Sequence, residues 1–267
     1  MLAASVAVLS LAAGAAFADP AAPSGNDTTV VTQGVAGVDY SYDSLNDGIG
    51  HANIYGGELG GIVPFGSDFS GQVTGAYHRI DLDGFGANDW NVAGTVAWDQ
   101  SWGRLGANVG YDSTGLLGAN VNTTNYGVYG EYYGGNLITV GLRGGGVTTS
   151  ASVFGASGSQ TGGYIGGQAL GYLTPDLSLR GTLELVDFNG GHQQTAGVRG
   201  EWLISETTPI SAWVGYDYAA LKGGGDRLVG NSVSVGVKWY IGGNGSLLHR
   251  QRTGEDDWAA APVDLTH

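Results

Sequence analysis

The chain has 267 residues, of which 51 are glycine, with charged residues at 13% and aromatics at 10%. This balance is too apolar for a disordered polymer and too rich in glycine for a helical protein, while six prolines without a strict every-third glycine exclude collagen. A net charge of −14 leaves no basic stripe for nucleic acid, and the absence of cysteine removes disulfides, thiolate metal sites and cysteine nucleophiles.

Leu2 to Ala13 is an apolar run, and Ala16-Phe17-Ala18 forms a small-x-small cleavage site before Asp19. The spacing predicts a signal peptide over 1–18, followed by a periplasmic N-terminal segment over 19–29. No later stretch supplies the ~20 apolar residues of a transmembrane helix. From residue 30 to 241 apolar and polar residues alternate with period two, the mark of strands with one apolar face. Ile210, Ala212, Val214, Tyr216 and Tyr218 alternate with Ser211, Trp213, Gly215 and Asp217. Val233, Val235, Val237, Trp239 and Ile241 alternate in the same way with Ser232, Ser234, Gly236, Lys238 and Tyr240.

Short turn signals near 64–67, 99–103, 134–136, 174–176 and 205–208 alternate with longer Gly/Asn/Ser-rich stretches. The longer stretches fall near 43–50, 83–89, 113–122, 147–160, 188–193 and 221–227. The strands entering the short turns repeat a polar position at 58, 95, 131, 168, 201 and 238, in steps of 37, 36, 37, 33 and 37. Six hairpins make about twelve strands, so the fold class is all-β, an antiparallel sheet with one tight rim and one looped rim.

Two observations favour closure in a membrane over a soluble sandwich. Trp98, Trp102, Trp202 and Trp239 lie near the tight rim, and Tyr40, Tyr42, Tyr55, Tyr77, Tyr111 and Tyr218 toward the looped one. Two such bands are interfacial girdles. Trp90 and Trp98, on one face, stand roughly 20 Å apart along a barrel axis, close to the ~25 Å apolar band of such barrels. On these residues the chain resembles the small-porin class of Gram-negative outer-membrane β-barrels. The strand 232–240, ending in aromatics, looks like a barrel-assembly signal, although about 26 residues follow it. The resemblance implies a closed transmembrane barrel over 30–241 and a disordered periplasmic tail over 242–267. It implies short periplasmic turns, longer extracellular loops and both chain ends in the periplasm. Lipopolysaccharide, other outer-membrane lipid and the barrel-assembly machinery are the implied partners, with small hydrophilic solutes as cargo; no cofactor and no nucleic acid are expected.

With the apolar face outward, Glu58, Asp112, Glu131, Glu184, Glu201 and Asp217 face the lumen, as do Arg143, Arg180, Arg199 and Lys238; Asp39, Asp99 and Arg104 join them. Pairing around residue 190 sets Arg180 opposite Glu201 and Glu184 near Arg199. Facing acids and arginines suit a selectivity constriction in a passive channel; the alternative is an ion-pair ladder that occludes a structural barrel. Enzymatic signals are poor. His78 has Asp81 and Asp83 near in sequence and Ser70 eight residues away, while His51 and His192 fall in separate loops. Gly144-Gly145-Gly146 lacks the Lys-Ser/Thr of a phosphate loop.

Overall fold

The computed structural model describes residues 30–45, 50–82, 85–116, 119–153, 156–205, 207–223, 226–242, 245–254 and 258. The expected signal peptide, the 19–29 segment and Asp83 lie outside them. Twelve strands follow in order: β1 Gln33–Leu45, β2 Gly50–Pro64, β3 Phe69–Leu82, β4 Phe85–Gln100, β5 Gly103–Leu116 and β6 Ala119–Gly134. They continue as β7 Ile138–Val153, β8 Ala156–Thr174, β9 Leu177–Phe188, β10 Gly191–Ser205, β11 Ile210–Gly223 and β12 Asp226–Gly242, after which α1 spans Leu247–Thr253.

Each strand pairs antiparallel with its neighbours in sequence, and β1 pairs with β12 from Gln33↔Gly242 to Leu45↔Gly230. The sheet is therefore a closed barrel without an edge, which pairs every strand's backbone groups as a lipid environment requires. Alternation places apolar side chains outward: Val38, Leu59, Val73, Val96, Val128, Leu142, Ile165, Val214 and Val235 are all exposed. An exposed apolar belt around a closed sheet is the surface of a transmembrane barrel of the outer-membrane type.

Exposed aromatic side chains lie toward both ends of the belt. Trp98, Trp202 and Trp239 are exposed near the rim where β1 starts and β12 ends, here the terminal rim. Trp90, Tyr40, Tyr42, Tyr55, Tyr77 and Tyr216 are exposed toward the opposite, distal rim, and Tyr111 and Tyr218 are partly exposed there. There the tyrosine hydroxyls donate diagonally across hairpins to asparagine Oδ1: Tyr40 to Asn53 (2.7 Å), Tyr77 to Asn88 (2.9 Å), Tyr111 to Asn122 (3.0 Å) and Tyr216 to Asn231 (2.7 Å).

Two expectations change. The Gly/Asn/Ser-rich stretches read as longer loops are mostly strand: β4 begins at Phe85, β6 at Ala119, and β7 and β8 run to Val153 and from Ala156. Small and polar residues there are tolerated because cross-strand hydrogen bonds do not depend on side-chain volume. The tail expected to be disordered from 242 instead holds α1, whose residues are almost all buried.

Candidate pore lumen

The alternation that sends apolar groups outward brings every candidate lumen residue inward. Asp112, Glu131, Arg143, Arg180, Glu184, Glu201 and Lys238 are buried, and Glu58, Arg199 and Asp217 are partly so. The six repeat positions all face the interior, on β2, β4, β6, β8, β10 and β12. The charges divide between two walls. Among inward groups, β1–β6 carry Asp39, Asp43, Glu58, Asp89, Asp99, Asp112 and Glu131 with Arg104. The β7–β12 wall carries Arg143, Arg180, Arg199 and Lys238 with Glu184, Glu201 and Asp217.

Arg104 pairs with Asp99 directly opposite on the neighbouring strand, while four other pairs join strands two apart, across a glycine. Lys238 on β12 and Glu58 on β2 both stand opposite Gly37 of β1, and Lys238 Nζ lies 2.9 Å from Glu58 Oε1. A Cβ at Gly37 would sit 2.6 Å from that oxygen, so a side chain there would displace the bridge. Arg143 on β7 and Glu184 on β9 both oppose Gly166, with Arg143 Nε donating to Glu184 Oε2 at 2.8 Å. Asp39 and His78 both oppose Gly56, their side chains 3.3 Å apart. Glu131 and Gln168 oppose Gly141, and Gln168 Nε2 donates to Glu131 Oε1 at 2.5 Å.

The register corrects the expected pairing around residue 190. Arg180 stands opposite Arg199, Glu201 opposite Ser178 and Glu184 opposite Thr195. Alternation assigns a face, but turn geometry sets the offset between strands, and here that offset differs by two residues or more. The Arg199 guanidinium lies 3.9 Å from the Trp213 ring centroid, a partner that alternation left among the polar residues. Glu201 accepts from Tyr240 at 2.7 Å and from Ser211.

His78 also departs from its sequence neighbours. Asp81 faces outward, and the carboxylates beside His78 are Asp39 and, at 4.0 Å, Asp89, which accepts from Thr114 at 2.6 Å. Ser70 donates to Asp99 instead, 2.6 Å away. His51 lies on β2, stacked on Tyr42, and His192 lies exposed on β10.

At the terminal rim the chain turns back after β12 through Gly242 and Gly245, whose φ values of 77° and 96° suit glycine. Ser246 caps α1 by accepting from the His249 amide, while the Leu248 and Leu247 amides donate to Pro175 O (2.8 Å) and an Asp176 carboxylate oxygen (3.2 Å). A seven-residue helix is marginal alone, and packing supplies what it lacks. Leu247 joins Val35, Leu203 and Tyr240, and Leu248 joins Leu170 and Tyr172. Arg252 donates to Thr139 Oγ1 and to the carbonyls of Gly135 and Ile138, between the rings of Tyr133 and Tyr172. Arg250 donates to the Gly242 and Gly245 carbonyls. Beyond the helix, Trp258 is buried against Arg143, which donates to its carbonyl. Both arginines lay in view in the sequence, but a short charged segment gives no periodic signal of docking.

No protein-family model matches the chain, and no curated protein matches it in sequence. Among solved structures, the NanC porin is similar with a TM-score of 0.55 at 14% identity, covering 76% of this chain and 98% of that one. The translocator domain of the autotransporter NalP from Neisseria meningitidis is similar with a TM-score of 0.51 at 16% identity, covering 81% and 90%. At these identities the likeness is one of fold, and it agrees with the belt and girdles: the chain is an outer-membrane-type β-barrel.

Proposed function

We propose that this barrel is a narrow outer-membrane channel for passive diffusion of small hydrophilic solutes, held closed in the described conformation by its C-terminal helix. The observation that carries the reading is a buried polar group midway along β6. Asn125 lies there 0% exposed, and neither end of its amide bonds to protein. Buried amides of this kind are satisfied by ordered water, which supports water inside the barrel at this level. The carboxylate excess along β1–β6 favours cations. His78, enclosed by Asp39 and Asp89, offers a substrate little access, which supports a function without catalysis. Lipopolysaccharide around the belt and barrel-assembly machinery reading the last strand belong to the same proposal.

A second reading, an occluded structural barrel, draws on inward apolar clusters at mid-lumen and toward the distal rim. Ala52, Ile54, Ile80 and Ala87 form one toward that rim; Val147, Tyr164 and Val186 form another lower down, with Val147 directly opposite Asn125. Planar-bilayer recording separates the two. The channel reading expects brief openings from the native chain and sustained conductance once Arg252→Ala and Trp258→Ala loosen the tail. Silence from both, in samples whose gel mobility shifts on heating, leaves the occluded barrel. Where conductance appears, Glu131→Gln and Arg180→Gln should each change the cation-to-anion permeability ratio, and an unchanged ratio removes that residue from the constriction.

A further inference from the structure

The ten Lys and Arg residues fall into three groups. Arg104, Arg143, Arg180, Arg199 and Lys238 face the lumen, and Arg250 and Arg252 lie in α1. The remaining three, Arg79, Lys222 and Arg227, point outward, and all three sit toward the distal rim. With the chain ends in the periplasm, that rim stands in the outer leaflet.

Two of the three are neighbours. Lys222 on β11 is directly opposite Arg227 on β12, and on its other side opposite His192 on β10. All three side chains are exposed. With strands ~4.8 Å apart, their nitrogens fan across roughly 10 Å of the outer surface. Like charges placed directly opposite destabilise a sheet. The acid in line with the row, Asp187 on β9, stands at its far end, opposite His192. Lys222 lies four residues beyond the girdle residue Tyr218, roughly 10 Å further from the belt at usual strand rise and tilt. Arg227 Nη2 donates to the Tyr218 hydroxyl at 2.8 Å, which holds the guanidinium and leaves the phenol proton to donate elsewhere. Below it, Asn231 accepts from Tyr216 and keeps its amide donors.

We propose that this face of β10–β12 docks the phosphorylated sugar headgroup of an outer-leaflet glycolipid. Lys222 and Arg227 meet a phosphate by charge-assisted hydrogen bonds, and the Tyr218 and Asn231 donors meet sugar oxygens. On a chain of net charge −14, this local reversal of sign is complementary to an anionic leaflet that the molecule as a whole repels. The inference rests on the barrel's orientation and is independent of whether the lumen conducts.

The test is native mass spectrometry of the refolded full chain, titrated in micelles with a bisphosphorylated disaccharide glycolipid. One glycolipid should bind saturably, and the double variant Lys222→Gln/Arg227→Gln should weaken it about tenfold or more. The charge-conserving pair Lys222→Arg/Arg227→Lys and the separate variant Arg79→Gln should stay within about twofold of native. The dephosphorylated glycolipid should bind about tenfold more weakly, and inorganic phosphate should not displace the lipid. Native-like binding by Lys222→Gln/Arg227→Gln or by the dephosphorylated lipid overturns the proposal. Displacement by inorganic phosphate overturns it too, because it marks a small-anion site and not a lipid dock.

Discussion

A side chain on β12 reaches one on β2 when β1 between them leaves the space open, and Gly37 leaves it. The same holds at Gly166 beneath Arg143 and Glu184 and at Gly56 beneath Asp39 and His78. Replacing Gly37 by Val should push Glu58 from Lys238 and cost about 1–3 kcal/mol, read from the denaturant midpoint of the barrel in micelles. Lys238→Met should cost more, about 3–5 kcal/mol, because Glu58 is left as an uncompensated inward charge. Adding Glu58→Gln should recover much of that loss, and a strictly additive pair would show that the two groups do not interact. At this scale the inward direction of Glu58, Glu131, Glu201 and Lys238 was legible from alternation and a 33- to 37-residue repeat. Their partners were not, since a period of two carries no information about how far one strand slides past another.

Among elements, α1 is the one whose existence depends on the rest of the molecule. Its amide donors are met by Ser246, Pro175 and Asp176, and Arg252 reaches three strand and turn acceptors that no isolated tail possesses. Ser246→Ala removes the cap, which typically costs ~1 kcal/mol and raises the undocked fraction roughly fivefold. Trypsin cleavage after Arg250 and Arg252 in the folded protein measures that fraction where opening is fast relative to cleavage. A cleavage rate equal to that of the native chain would show that the cap does not hold the helix in place. Gly242 and Gly245 were visible in the sequence; their service in sending the tail back to the mouth depends on where β12 ends.

For the whole molecule, the outward belt makes the bilayer part of the stability. Val128 is exposed near the middle of β6, so Val128→Arg places a cation near the midplane and should cost about 2–4 kcal/mol in vesicles. Unfolding from lipid vesicles measures it, and a negligible change would place β6 away from the hydrocarbon. Closure of β1 on β12 also predicts faster gel migration before boiling than after, which a loosely folded chain would not show.

Composition and the period of two were enough for the all-β architecture, about twelve strands and the outward and inward faces. Each follows from composition or from a local period, quantities that a strand carries along its own length. Tertiary structure alone decided that Arg180 faces Arg199, that Glu184 belongs to Arg143, that the distal stretches pair as strand and that the tail enters the barrel. Those outcomes depend on inter-strand offset and on surfaces assembled from distant segments, which exist only once the sheet has closed.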